Sequence, residues 1–198
     1  MSDLVGSPDI IMIWPKGQRL LVPEPPAGYS ARSLPPEYDS WWIEIHRKAI
    51  PSFQVADLKE WLKRYRSFAL DKGILVAIHD QSGQAVATAG SIAHSKGEMF
   101  PNGGQLAWVA TVPQHRKQGL GTWLSALATS RLQREGFKRI FLSTGDDLTD
   151  AIRVYLRLGY VPCFYASDQR KRWNRICKEI GMDFELDNWP SLKDYLQE

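Results

Sequence analysis

The segment Val109-Ala-Thr-Val-Pro-Gln-His-Arg116-Lys-Gln-Gly119-Leu-Gly121-Thr-Trp-Leu constrains the fold more than any other stretch of this chain. Its first residues have the β-rich character of a strand, and Leu120, Leu124, Leu127, Ala128 and Leu132 then recur with helical spacing. A strand must therefore pass into a helix through a basic turn that holds two glycines. The first N–H groups of a helix lack intrahelical partners and carry the positive end of its dipole. Glycine lets a bulky group approach that backbone, and Arg116 and Lys117 add charge at the same mouth, so the segment points to a phosphate-bearing anion. The dinucleotide pattern G-x-G-x-x-G fails because Leu124 stands in the place of the third glycine, and the pattern G-x-x-x-x-G-K-[ST] is absent.

The surrounding periodicity predicts strands at Ile10–Trp14 and Tyr29–Ser33, the latter inside a Pro-rich connection from Pro23 to Pro36. Helices are expected over Asp39–Ile50 and Val55–Phe68, with Asp71-Lys72-Gly73 as the stop of the second. Ile74–His79 and Gln84–His94 then form a hairpin about Asp80–Gly83, and a loop over Ser95–Gly104 leads to a strand over Gln105–Val112. After the helix Gly119–Gln133 come a strand at Arg139–Thr144, a helix at Asp147–Leu158, a strand at Val161–Tyr165 and a basic helix at Ser167–Ile180, followed by an irregular end. The expectation is an α/β fold of the α+β type, with a mixed, mostly antiparallel central sheet flanked by helices. The 198 residues fit a single domain with its core over about 29–166, a strand extension over 1–28 and a basic tail over 167–198.

Arg116-x-x-Gly119-x-Gly121, preceded by a strand ending in Val112-Pro113, resembles the pyrophosphate-binding signature of the GCN5-related N-acetyltransferase (GNAT) superfamily. Thr111 takes a place where that family commonly has Val. The later Tyr155-Leu-Arg-Leu-Gly159-Tyr160 resembles the family's Tyr-x-x-x-Gly-aromatic ending, and order and spacing agree from about Ile74 to Tyr165. The resemblance implies acetyl-CoA as co-substrate and direct attack by a primary amine on its thioester, with no metal. It implies that Arg116, Lys117, Gln118, Gly119, Leu120, Gly121 and Thr122 hold the pyrophosphate. Val109, Ala110 and Thr111 would line the pantetheine arm and polarise the thioester oxygen. Tyr155 takes the family's general-acid position, its phenol protonating the departing thiolate.

The sequence departs from the family in two places. The strand Gln105–Val112 has no carboxylate to serve as base, which leaves Glu98, His94, Asp146, Asp147, His46 or a relayed water as candidates. Leu148 stands where an Asn is common, flanked by Asp147 and Asp150 as candidate helix caps. His115, inside the signature, is expected to be exposed. The resemblance puts the acceptor among the early helices and the Ser95–Gly104 loop, with Trp41, Trp42, His46 and Trp108 as candidate contacts and Trp61 and Tyr65 nearby. Core packing is the competing account of these aromatics.

The partner expected is a small-molecule or protein amine, and a homodimer is left open. A non-catalytic acyl-CoA sensor of the same fold is the alternative. The formal net charge of +3 is too small to favour nucleic acid, although Gln169–Lys178 carries a basic run that would be its contact. Two cysteines, Cys163 and Cys177, make no disulfide framework. No signal peptide is evident, and no apolar stretch approaches the ~20 residues of a membrane span. A cytoplasmic setting is expected.

Overall fold

A computed structural model describes residues 9–94, 99–183 and 189–197, with the side chain of His94 excluded. The chain forms two compact units, residues 20–140 and residues 1–19 with 141–198.

The unit over 20–140 contains β2 (Tyr29–Ser33), α1 (Asp39–Ala49), α2 (Val55–Phe68), β3 (Ala69–His79), β4 (Gln84–His94), β5 (Gly103–Thr111) and α3 (Leu120–Arg134), where β1 is reserved for a strand of the other unit, Asp9–Ile13. Its strands pair antiparallel in the order β2-β3-β4-β5. Successive residues of a strand face opposite sides of a sheet. Gly90 of β4 lies under Tyr65 of α2, while the Ser91 hydroxyl donates to the Ala128 carbonyl of α3 at 2.9 Å. The two helices therefore cover opposite faces. Buried Ser125, Ala126, Ala128 and Thr129 give α3 a small-residue face against the sheet. α1 buries Trp42, Ile45 and His46, and α2 buries Leu58, Leu62 and Tyr65, each set at helical spacing.

The other unit contains β1, β6 (Ile140–Gly145), α4 (Thr149–Leu158), β7 (Val161–Cys163), α5 (Gln169–Ile180) and α6 (Leu192–Gln197). β1 is the middle strand, antiparallel to β6 on one side and to β7 on the other. Ile10 and Met12 are fully buried there. The mixed α/β class and the antiparallel pairing agree with the sequence expectation.

Three local expectations are corrected. Asp71-Lys72-Gly73 does not precede the strand but lies inside β3, where the register with β4 shifts between Ala69 and Ile74. Lys72 takes a left-handed φ of 52° there, so the turn-forming residues make a bulge and not a boundary. Leu148 is the exposed N-cap of α4, and neither Asp147 nor Asp150, the candidate caps, caps it through a side chain. The irregular tail contains α6, whose first turn is tied by hydrogen bonds between Ser191 and Asp194.

Candidate functional site

β5 is bulged. Thr88 pairs with Ala110 and Gly90 with Ala107, so Ala89 alone faces both Trp108 and Val109. Trp108 has φ 53°, the left-handed region that bulky residues avoid. A bulge takes its extra residue out of the ladder, which frees backbone polar groups for a ligand.

Beyond β5, Pro113–His115 makes one short 3-10 turn, Arg116 is extended, and Lys117 and Gly119 are left-handed with φ of 61° and 82°. α3 begins at Leu120, and the Trp123 N–H donates to the Gly119 carbonyl at 3.0 Å. The N–H groups of Leu120, Gly121 and Thr122 precede that bond and are the helix's orphan donors, and no side chain caps this end. A Cβ at Gly121 would meet nothing within 4 Å, so the space beside those donors is open. Lys117 and Gln118 are exposed beside it.

Arg116 does more than add charge. Its guanidinium donates to the Thr111 carbonyl at 3.3 Å and to the Ala49 carbonyl at 2.9 Å, tying the loop to the negative end of α1. His115 is half-buried rather than exposed. Its Nδ1 and the Tyr29 hydroxyl share a hydrogen bond of 2.8 Å, and its ring centroid lies 4.9 Å from that of His79. Desolvation, with a smaller contribution from His79, holds the His115 pKa below the ordinary value.

The aromatic candidates separate into two groups. Trp42 and His46 stack one turn apart on α1 with centroids at 3.8 Å. Trp108 lies edge-on to both, at 5.2 and 5.5 Å, and Trp61 and Tyr65 of α2 complete the cluster. Trp41 instead stacks on Tyr38 at 4.5 Å and under the Arg32 guanidinium at 4.6 Å. Burial pushes the His46 pKa down to about 4, opposed by the Trp42 and Trp108 backbones. The ring is neutral at pH 7, with Nδ1 donating to the Trp42 carbonyl at 2.9 Å. Tyr65 and Gly90 form a pair that sequence reasoning did not connect. An isolated glycine inside a strand pattern is the signal for such a close approach.

Tyr155 belongs to the other unit, on α4, and is buried with its ring 6.2 Å from that of Tyr160. Burial pushes its pKa up, so the phenol keeps its proton at neutral pH. In the same unit Asp146 accepts from Arg172 at 2.9 Å and from Arg175 at 2.5 Å, which occupies it as an internal anchor of α5. Of the two, Arg172 is largely buried while Arg175 stays exposed, so one charge of the basic run turns inward. Asp147 is exposed. Glu98 and the His94 side chain lie outside the described residues.

A bulged strand thus passes through a basic glycine turn into a helix whose first N–H groups no side chain caps. Residues 37–160, more than half of the chain, match the model of the acetyltransferase (GNAT) family, and the chain belongs to that family. It is 26% identical over 172 residues to the mycothiol acetyltransferase of Frankia casuarinae, covering 80% of this chain and 48% of that protein. The chain thus spans about half the length of the curated relative it matches. A GCN5-related N-acetyltransferase from Kribbella flavida is 27% identical, with a TM-score of 0.52 over 78% of this chain and 54% of its own. Another from Sphaerobacter thermophilus is 24% identical, with a TM-score of 0.63 over 78% of this chain and 48% of its own, a likeness of fold. Among the described residues no helix is long and apolar enough to cross a membrane.

Proposed function

We propose that this chain is an N-acetyltransferase that binds acetyl-CoA and passes its acetyl group to a primary amine by direct attack. The observation that carries the reading is the continuous path from the β5 bulge to the uncapped α3 terminus. Open space at Gly121 and three orphan N–H donors suit a diphosphate, so the residues present fit the co-substrate. The N–H groups of Gln118 to Thr122, with Lys117, hold the phosphates. Arg116 adds charge while keeping the loop in place through Ala49 and Thr111. Acetyl-CoA supplies the acyl group as a thioester. The backbone of Val109 to Thr111 lines the pantetheine arm, and a fixed N–H there stabilises charge on the carbonyl oxygen without a special side chain. The amine attacks the thioester carbonyl to give a tetrahedral intermediate, and the C–S bond then breaks to release the thiolate. Tyr155 supplies the proton for the sulfur, and a base of this chain or a relayed water accepts the one the amine loses. The acceptor, small molecule or protein, meets the aromatic side of α1 and α2, and a cytoplasmic setting suits both cysteines, which are free and buried.

The missing carboxylate on β5 favours one second reading, a sensor that binds acyl-CoA without transferring it. Calorimetry with acetyl-CoA, followed by thiol release across an amine panel, separates the two. Binding with amine-dependent thiol release is expected. Binding with no release for any amine supports the sensor, and no binding rejects both.

A further inference from the structure

Trp108 is held in a conformation that it resists. A left-handed φ is strained for a bulky residue and persists only where its surroundings impose it. Asn or Gly is the usual occupant of such a position, and here the largest side chain takes it. The surroundings are specific. Four rings from two helices contact the indole: Trp42 at 5.2 Å, His46 at 5.5 Å, Trp61 at 5.8 Å and Tyr65 at 6.2 Å between centroids. Each helix contributes two residues four apart, one turn above the other. Tyr65 also reaches the opposing strand. Its hydroxyl occupies the space where a Cβ at Gly90 would stand, and Gly90 is the ladder partner of Ala107, the residue before Trp108. The Tyr65 hydroxyl is buried and has no hydrogen-bond partner among the described residues. Its burial is therefore explained by the wedge the side chain forms and not by a bond.

We propose that Trp42, His46, Trp61 and Tyr65 are positioning residues that grip the Trp108 ring, keep residue 108 left-handed and thereby fix the direction of the bulge N–H groups. The inference rests on the proposed function in one respect, that those N–H groups meet the thioester oxygen. A ring clamp fits that task because an oxyanion donor works only if it is already aimed before charge develops. A flat strand at this point would return the N–H groups to the ladder. The helices that hold the bulge are also those assigned to the acceptor, so acceptor contacts on Trp61 or Trp108 would be felt at the carbonyl.

The test uses the full chain with acetyl-CoA labelled with carbon-13 at the carbonyl. Three quantities are measured: the carbonyl chemical shift of the bound form, the Kd by calorimetry, and kcat. The parent protein should displace the carbonyl resonance from its free position. Tyr65→Leu and the half-buried rim variant Trp61→Leu should lose more than half of that displacement and about tenfold in kcat, with Kd within about threefold of the parent. Tyr65→Phe, which keeps the ring, should retain all three. In a Trp108→Asn background, where residue 108 tolerates the left-handed region unaided, Tyr65→Leu should cost less than about twofold. Parent-like shift and kcat in both leucine variants would overturn the proposal, as would an equal loss in the Trp108→Asn background. A parent protein that binds acetyl-CoA with no carbonyl displacement would reject the thioester contact itself, and the clamp with it.

Discussion

Tyr155 and His46 show how one physical cause yields opposite protonation consequences. Burial disfavours the charged form of each, so the phenol keeps its proton and the imidazole loses one. A protonated phenol is the form a proton donor needs. Tyr155→Phe is expected to lower kcat by roughly 10²-fold while the acetyl-CoA Kd stays within about twofold, as steady-state kinetics and calorimetry would show. An unchanged kcat would leave Tyr155 as core packing. For His46 the consequence is stability. Its folded pKa is about 4 against an ordinary 6.5, so below pH 6.5 the unfolded chain takes up a proton that the native state refuses until about pH 4. Stability should fall as pH drops through that window, by at most about 3 kcal/mol from this group. Urea midpoints at pH 7 and pH 4.5 would show a smaller drop in His46→Phe than in the parent.

At the scale of the elements, α3 sets function against helix propensity. Gly121 sits in its first turn, where alanine is the better helix former and a Cβ meets no neighbour within 4 Å. Gly121→Ala should hold or slightly raise Tm while weakening acetyl-CoA binding at least several-fold, because the methyl group occupies the space proposed for phosphate. A lower Tm with unchanged Kd would count against that use of the turn. Gly119 differs, since its φ of 82° strains any side chain even where space exists. Helices α1 to α5 were legible to within a residue or two because a buried stripe repeats at 3.6 residues, as in Leu58, Leu62 and Tyr65, whereas the short α6 was not. Turn chemistry was less legible. Asp71-Lys72-Gly73 has the composition of a boundary, and whether such residues end a strand or bulge within it depends on the partner strand, here β4.

For the whole molecule, the ends of the chain matter as much as the signature. Residues 9–13 supply the middle strand of one unit, with β6 and β7 on its two sides, although over a hundred residues separate them in sequence. Deleting residues 1–14 should expose both neighbouring strands and abolish cooperative unfolding of that unit, with loss of soluble yield or binding of a hydrophobic dye as the readout. A truncated chain that unfolds with the parent's midpoint would contradict this. α5 belongs to the same unit, and its Arg172 and Arg175 anchor to Asp146. A basic run that resembles a nucleic-acid contact on paper therefore pairs two of its charges with Asp146.

The sequence by itself determined the strand–turn–helix mouth, the helical stripes and the hairpin of β3 and β4, because local periodicity, turn residues, glycine and N-terminal helix donors act over a few residues. Only the tertiary structure decided that Trp108 is left-handed, that Tyr65 fills the space at Gly90, that Arg116 reaches back to Ala49 and that Trp41 stands apart from Trp42. Each of these depends on groups distant in sequence meeting at one point. Spacing along a chain does not encode which of several buried rings will share that point.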